Sequence, residues 1–134
     1  MESLKEYFKN DRFAAENGIE VVDIQPGFAI AEMKVEGRHF NCFGMVQGGA
    51  LFTLAAMAFA GACNSAGELS LGMNMTISCI RPCFGGLLRA EATELARTKK
   101  TSTCSVRVVD ESARLIALFQ GTAFVKGDAF PPVV

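Results

Sequence analysis

From Phe40 through Gly67 the chain carries no charged side chain, and inside that run Gly48-Gly49 opens onto Ala50-Leu51-Phe52-Thr53-Leu54-Ala55-Ala56-Met57-Ala58-Phe59-Ala60. The composition predicts a helix from about Gly48 to Ser65, closed near Gly67, whose freedom at positive φ suits a C-terminal cap. A helix that is apolar on every side has no face for water, so the rest of the chain must enclose it. Its start is then the functional end. The first N–H groups of a helix lack intrahelical acceptors, and the macrodipole adds partial positive charge there, which suits an anion or a developing oxyanion. Gly48 and Gly49 would leave those donors uncovered. The plainer reading is that two glycines only permit a tight entry turn or close packing on a sheet.

The chain has 134 residues, half of them hydrophobic, enough for one buried core, and it reads as a single domain over 1–134. A net charge of −1 gives no general attraction for nucleic acid or an anionic membrane. The longest apolar run, Ala50 to Ala62, is alanine-rich and falls short of the ~20 residues a bilayer crossing needs. The charged, amphipathic N-terminus has no secretory pattern, so the expected location is cytoplasmic. Five scattered cysteines form no disulfide framework, and with one histidine in the chain no standard zinc site can be completed. Cys63, deep in the apolar helix, is expected to be an inert thiol.

Residues 2–16 read as an amphipathic helical lid, broken near Asn10-Asp11, with Leu4, Tyr7, Phe8 and Phe13 as its apolar contacts. Ile19 to Ile24 and Phe28 to Val35 flank Gln25-Pro26-Gly27 as a hairpin. After the helix, Leu71, Met73, Met75, Ile77 and Cys79 alternate with Gly72, Asn74, Thr76 and Ser78, the pattern of a strand with one buried face. Leu88, Ala90 and Ala92 alternate with polar residues before the Lys99-Lys100 turn. Ser102, Cys104, Val106 and Val108 mark the next strand, and Ala113 to Val125 the last. About 127–134 is expected to be a loose tail. Strands and helix occupy separate stretches, so the expected class is α+β, a curled antiparallel sheet wrapped around one long central helix.

Asn41 followed by Gly44-Met45-Val46-Gln47-Gly48-Gly49-Ala50-Leu51, with Ala62-Cys63-Asn64-Ser65, Met73-Asn74-Met75-Thr76, Arg81-Pro82 and the Arg97 to Thr101 turn, resembles the hotdog-fold acyl-CoA thioesterases of the phenylacetic-acid-degradation type. The resemblance spans about residues 17–126. It implies a homodimer joined through the strand after the helix, dimers paired into tetramers, and active sites at the dimer interface. The substrate it implies is a coenzyme A thioester, with no cofactor and no metal. By the same resemblance the Gly48 N–H polarises the thioester carbonyl, Asn41 places the attacking water or catalytic side chain, and Ser70 assists. Gln47, Gly49, Met57, Met73 and Thr101 would touch substrate, and Arg81, Arg97, Lys99 and Lys100 are candidates for the coenzyme A phosphates.

Each assignment has a plainer counterpart. Asn41 suits a turn for backbone reasons. Ser70 could be an ordinary strand-start hydroxyl, Met73 and Met75 strand core, and the Arg97, Lys99, Lys100 cluster a solvated hairpin tip. His39 has no partner at triad-like or metal-like spacing and reads as a loop support or an exposed side chain.

The departure from the family pattern is the helix carboxylate. Its position, eight residues after Gly48, holds Ala56, and no Asp or Glu occurs between Arg38 and Gly67. Gln47 stands where the family has histidine. Glu68, the next acid, belongs to the wrong end of the helix. General-base help is worth ~10²–10⁴ in rate and one oxyanion donor ~10²–10³. Two functions therefore compete: a thioesterase with an atypical site, and an acyl-CoA binding or sensing protein with impaired catalysis. A hotdog dehydratase ranks below both, since it needs the absent helix acid.

Overall fold

The computed structural model describes residues 1–132. Two short helices, α1 (Glu2–Phe8) and α2 (Arg12–Glu16), precede the hairpin of β1 (Ile19–Gln25) and β2 (Phe28–Lys34). A 3-10 turn at Gly37–His39 leads into α3 (Gly48–Cys63), followed by β3 (Glu68–Cys79), β4 (Leu87–Arg97), β5 (Thr101–Val109) and β6 (Leu115–Ala129). The six strands form one antiparallel sheet in the order β1-β2-β4-β5-β6-β3. The α+β class and the curled sheet around one long helix are as expected.

Small side chains set the distance between helix and sheet. Ala29, Ala31, Ala90 and Ala92 are fully buried beneath α3, and a Cβ added at Gly61 would lie 2.8 Å from the Ala29 Cβ. The helix lies so close that one methyl is too much. Gly27, at φ +70°, turns the β1–β2 hairpin, and its N–H donates to Ser65 Oγ at 2.8 Å, tying the hairpin to the end of α3.

Three expectations change. α3 stops at Cys63 because the buried Asn64 side chain ends it: Nδ2 donates to the Ala60 carbonyl at 2.9 Å and to the Ser70 carbonyl at 3.1 Å, and Oδ1 accepts from the Ser70 N–H at 2.8 Å. Gly67, at φ +84°, turns the loop into β3 instead of capping the helix. In β3 the register against β6 shifts between Gly72 and Asn74, which breaks the alternation. Ser70, Gly72, Met75, Ile77 and Cys79 face the helix, whereas Leu71 and Met73 lie on the open side. Finally, β6 runs on to Ala129, and the Phe130 ring packs on Tyr7 and Phe8 at 5.0 and 5.7 Å, so 127–130 is anchored instead of loose. The last two residues of the expected tail lie outside the described residues.

Two cysteines report on the core. Burial pushes the Cys63 thiol up to about 12 and the Cys104 thiol up to about 11, from an ordinary 9.0. Below pH 9 both thiols are protonated in the folded and unfolded chains. Between about pH 9 and 11 the unfolded chain releases protons that the fold retains, so stability falls as pH rises. The expected loss is roughly tenfold in the folding equilibrium constant per pH unit for each thiol. Denaturant unfolding across this range checks it, and Cys63→Ala should make the decline shallower.

Candidate active site

The start of α3 is built from both sides. The Val46 N–H donates to the Cys83 carbonyl at 2.9 Å and the Gln47 N–H to the His39 carbonyl at 2.8 Å, which fixes the strand entering the helix. The buried His39 accepts from the Glu36 N–H at Nδ1, 2.9 Å, and its Nε2 donates to the Asn17 carbonyl, 2.7 Å. It supports the loop, as its lone position suggested. Gln47 is the N-cap in an extended conformation, and its side chain makes no capping bond. The Ala50 and Leu51 N–H groups turn back to the Gln47 carbonyl at 2.9 and 3.2 Å. The Gly48 and Gly49 N–H groups find no acceptor among the described residues. Two polarised donors therefore stand open at the start of an uncharged helix.

Gly48 opens onto a crevice of about 350 Å³ between the 41–46 loop and the end of β3, shared with Asn41, Leu51, Cys79 and Arg81. Asn41 Oδ1 accepts from the Phe43 N–H at 2.8 Å and the Met45 N–H at 3.3 Å. Its carbonyl is thus committed to the turn, and Nδ2 has no acceptor among the described residues. The Cys79 thiol, absent from the candidates drawn from sequence, lies 3.7 Å from where a Cβ on Gly48 would be. The alternation read from the sequence already puts Cys79 on the inward face of β3, and only the fold shows that this end of the strand lies beside Gly48. Arg81 donates from Nη1 to the Leu115 carbonyl at 2.7 Å and is the one cation lining the crevice among the described residues. On the other flank of the helix start, a cavity of about 430 Å³ is lined by Gln47, Gly49, Phe52, Thr53, His39 and Arg38, among others. Gln47 Oε1 folds over Gly49, 2.6 Å from where a Cβ there would be.

Other candidates gather at the far end of α3. Arg97 Nη1 donates to the Cys63 carbonyl at 3.2 Å and to Glu94 at 3.1 Å, and Nη2 pairs with Glu68 at 3.4 Å. The arginine caps the helix C-terminus, where the macrodipole favours a cation, so its fork is already occupied. Lys99, Lys100 and Thr101 form the adjacent β4–β5 turn, held by Thr98 Oγ1, which accepts from the Lys100 and Thr101 N–H groups at 3.2 and 2.9 Å. Cys63 is fifteen residues beyond Gly48, about 22 Å along the helix axis. Within one chain, Arg97, Lys99, Lys100 and Thr101 do not meet Gly48.

Ser70 does not meet it either. Its Oγ donates to the Glu68 carbonyl at 3.1 Å, and it lines a cavity of about 300 Å³ with Thr53, Ala56, Met57 and Met75. Met73 is 59% exposed and absent from this lining, because the bulge turns it outward while Met75 keeps the inward face expected of it. The α3 stripe Gly49, Thr53, Ala56 and Ala60 remains open or half-buried along these cavities. The chain therefore does not enclose its apolar helix on every side, since one six-stranded sheet covers only part of it.

Comparison with known proteins follows the same lines. A family model for the thioesterase superfamily matches residues 43–117, the stretch that holds α3 and the crevice residues other than Asn41. The acyl-coenzyme A thioesterase PaaI of Escherichia coli is 36% identical over 115 residues, covering 85% of this chain and 82% of the relative. The structure of the Escherichia coli PaaI protein superposes with a TM-score of 0.88 at 34% identity, over 92% of this chain and 91% of that one. A mutant of the phenylacetic acid degradation protein PaaI from Thermus thermophilus gives 0.82 at 34% identity, over 86% and 99%. With the antiparallel sheet curled around α3 and the glycine-opened start of that helix, these matches establish that the chain belongs to the thioesterase superfamily, as a hotdog-fold member of the phenylacetic-acid-degradation type.

Proposed function

We propose that this protein hydrolyses acyl-CoA or aryl-CoA thioesters at a site assembled from two copies of the chain. The observation that carries the reading is the unacceptored Gly48 N–H, opening onto a crevice that holds, among the described residues, no carboxylate and one cation, Arg81, with the unacceptored Gly49 N–H beside it on the other flank of the helix start. Thioester hydrolysis needs fixed donors at the oxygen where charge develops, and such donors are worth most where water is excluded. Water attacks the carbonyl carbon, the oxyanion is held at the Gly48 N–H, and the C–S bond breaks on collapse. Asn41 Nδ2 is placed to hold the water or the carbonyl, and Arg81 to meet a coenzyme A phosphate.

The second copy is supported by β3. It is an edge strand paired only with β6 among the described residues, and Leu71 and Met73 are open on it. Such an edge is a template for another strand. Antiparallel pairing of two β3 edges across a two-fold axis runs the two α3 helices in opposite directions. The start of one helix then faces the later turns of the other, which brings the cavity of Ser70 and Ala56, and the Lys99-Lys100 turn beyond it, toward a Gly48. The exposed outer residues Leu95, Leu118 and Phe124 offer a surface for pairing two dimers. The five unpaired thiols suit the reducing cytoplasm.

A second reading, binding of acyl-CoA without turnover, is favoured by Ala56 in the place of the family's carboxylate and by Gln47 in place of histidine. Steady-state release of coenzyme A from aryl and medium-chain acyl-CoAs separates the two. The thioesterase reading expects turnover well above the buffer rate with at least one class. Saturable binding with no release would establish the second reading instead.

A further inference from the structure

We propose that Asp11 supplies the general base that α3 itself lacks; the assignment rests on the thioesterase reading. Three cavities border α3, and among all the described residues lining them Asp11 is the single carboxylate. It belongs to the cavity of about 300 Å³ that also holds Thr53, Ala56, Ser70 and Met75. The methyl of Ala56 leaves room in this cavity, and Asp11, an exposed residue at its rim, lines the same cavity.

Its setting suits the role. Asp11 is the N-cap of α2, with Oδ1 accepting from the Ala14 N–H at 3.0 Å, which fixes the orientation of the carboxylate. Oδ2 has no partner among the described residues, and no lysine or arginine among them neutralises the group: the neighbouring Arg12 turns to Glu16 at 3.7 Å. Other acids close to the helix ends are engaged, Glu94 and Glu68 by Arg97 and Glu36 by Arg38. Phe13, Phe52, Phe59 and Met57 make the surroundings mostly apolar.

Ala56 is eight residues past Gly48, about 12 Å along the axis, too far for one water to join Asp11 to the Gly48 amide of its own chain. In the two-fold arrangement Asp11 acts at the Gly48 of the second copy. The Asp11 carboxylate takes a proton from water as the water oxygen bonds to the carbonyl carbon, and the C=O pair moves onto the oxygen held by the Gly48 N–H. On collapse C=O reforms, the C–S bond breaks, and the protonated carboxyl returns its proton to sulfur. Water and thioester become acid and thiol.

Asp11→Asn is the informative variant, because asparagine caps a helix as well as aspartate and the fold keeps its hydrogen bond. The expected result is a loss of about 10²–10⁴ in kcat with KM and thermal midpoint little changed. Adding Ala56→Asp should return at least about tenfold of the lost rate, since a carboxylate re-enters the same cavity. A capping role alone gives neither the loss nor the rescue. With an active parent protein, unchanged kcat in Asp11→Asn overturns the assignment and leaves the thioesterase reading standing. A loss that Ala56→Asp does not recover in a folded double variant overturns it as well. A parent protein that binds acyl-CoA without releasing coenzyme A overturns both.

Discussion

Gly48→Pro is expected to lower kcat for acyl-CoA hydrolysis by about 10²–10³ while leaving the helix in place, because it deletes one amide donor and little else. Proline is well tolerated at the first helical position, where the missing N–H has no intrahelical partner. It also restricts the preceding residue to extended conformations, and Gln47 already sits at φ −68° and ψ 142°. The nearest atom to an added Cβ is the Cys79 Sγ at 3.7 Å, an ordinary contact. Circular dichroism and the thermal midpoint should therefore stay near those of the parent. Gly48→Ala keeps the donor and meets the same 3.7 Å contact, so it should retain most of the rate. The pair isolates the N–H from the space around it.

Phe119→Ala is expected to cost about 3–5 kcal/mol of folding stability. The ring is 1% exposed and packs against Phe52 and Phe59, with centroids 5.4 and 5.7 Å away. Collapse into the space left is restricted, because the same aromatic cluster presses on the backbone at Gly121, where an added Cβ would lie 2.9 Å from Phe59 Cζ. Phe52 and Phe59 also line the cavity that Asp11 borders, so the residual folded protein should bind acyl groups more weakly. Urea titration at fixed protein concentration measures the first effect, since the apparent stability of an oligomer depends on concentration.

The parts of this molecule that rest on side-chain period and polarity were readable from the chain. The charge-free run, its glycine start, the Gln25-Pro26-Gly27 turn and the buried Leu88, Ala90, Ala92, Cys104, Val106 and Val108 all follow from local pattern. The expectations that failed depend on contacts between distant segments. Asn64 ends α3 by bonding across to Ser70, a partner no helix rule contains. The bulge at Gly72 turns Met73 out of the cavity and leaves Met75 on the inward face expected of it, since a slip of one residue reverses the faces of a strand. The resemblance makes Arg97 a candidate phosphate ligand beside the plainer reading of a solvated hairpin tip, and in the fold the Cys63 carbonyl and two carboxylates surround it. Asp11 is legible only in three dimensions. Its sequence neighbours mark it as a break between two short helices, and the fold alone carries it across to Ala56.

The central claim is that the open amides at the start of α3 polarise a thioester carbonyl, and infrared difference spectroscopy tests it without relying on turnover. The ligand is a carbon-13-labelled ketone analogue of acyl-CoA, with a methylene in place of sulfur. On the parent protein its carbonyl stretch should move to lower frequency than in water, and Gly48→Pro should abolish most of that displacement. A bound analogue whose carbonyl band stays at its solution position on the parent protein would contradict the account.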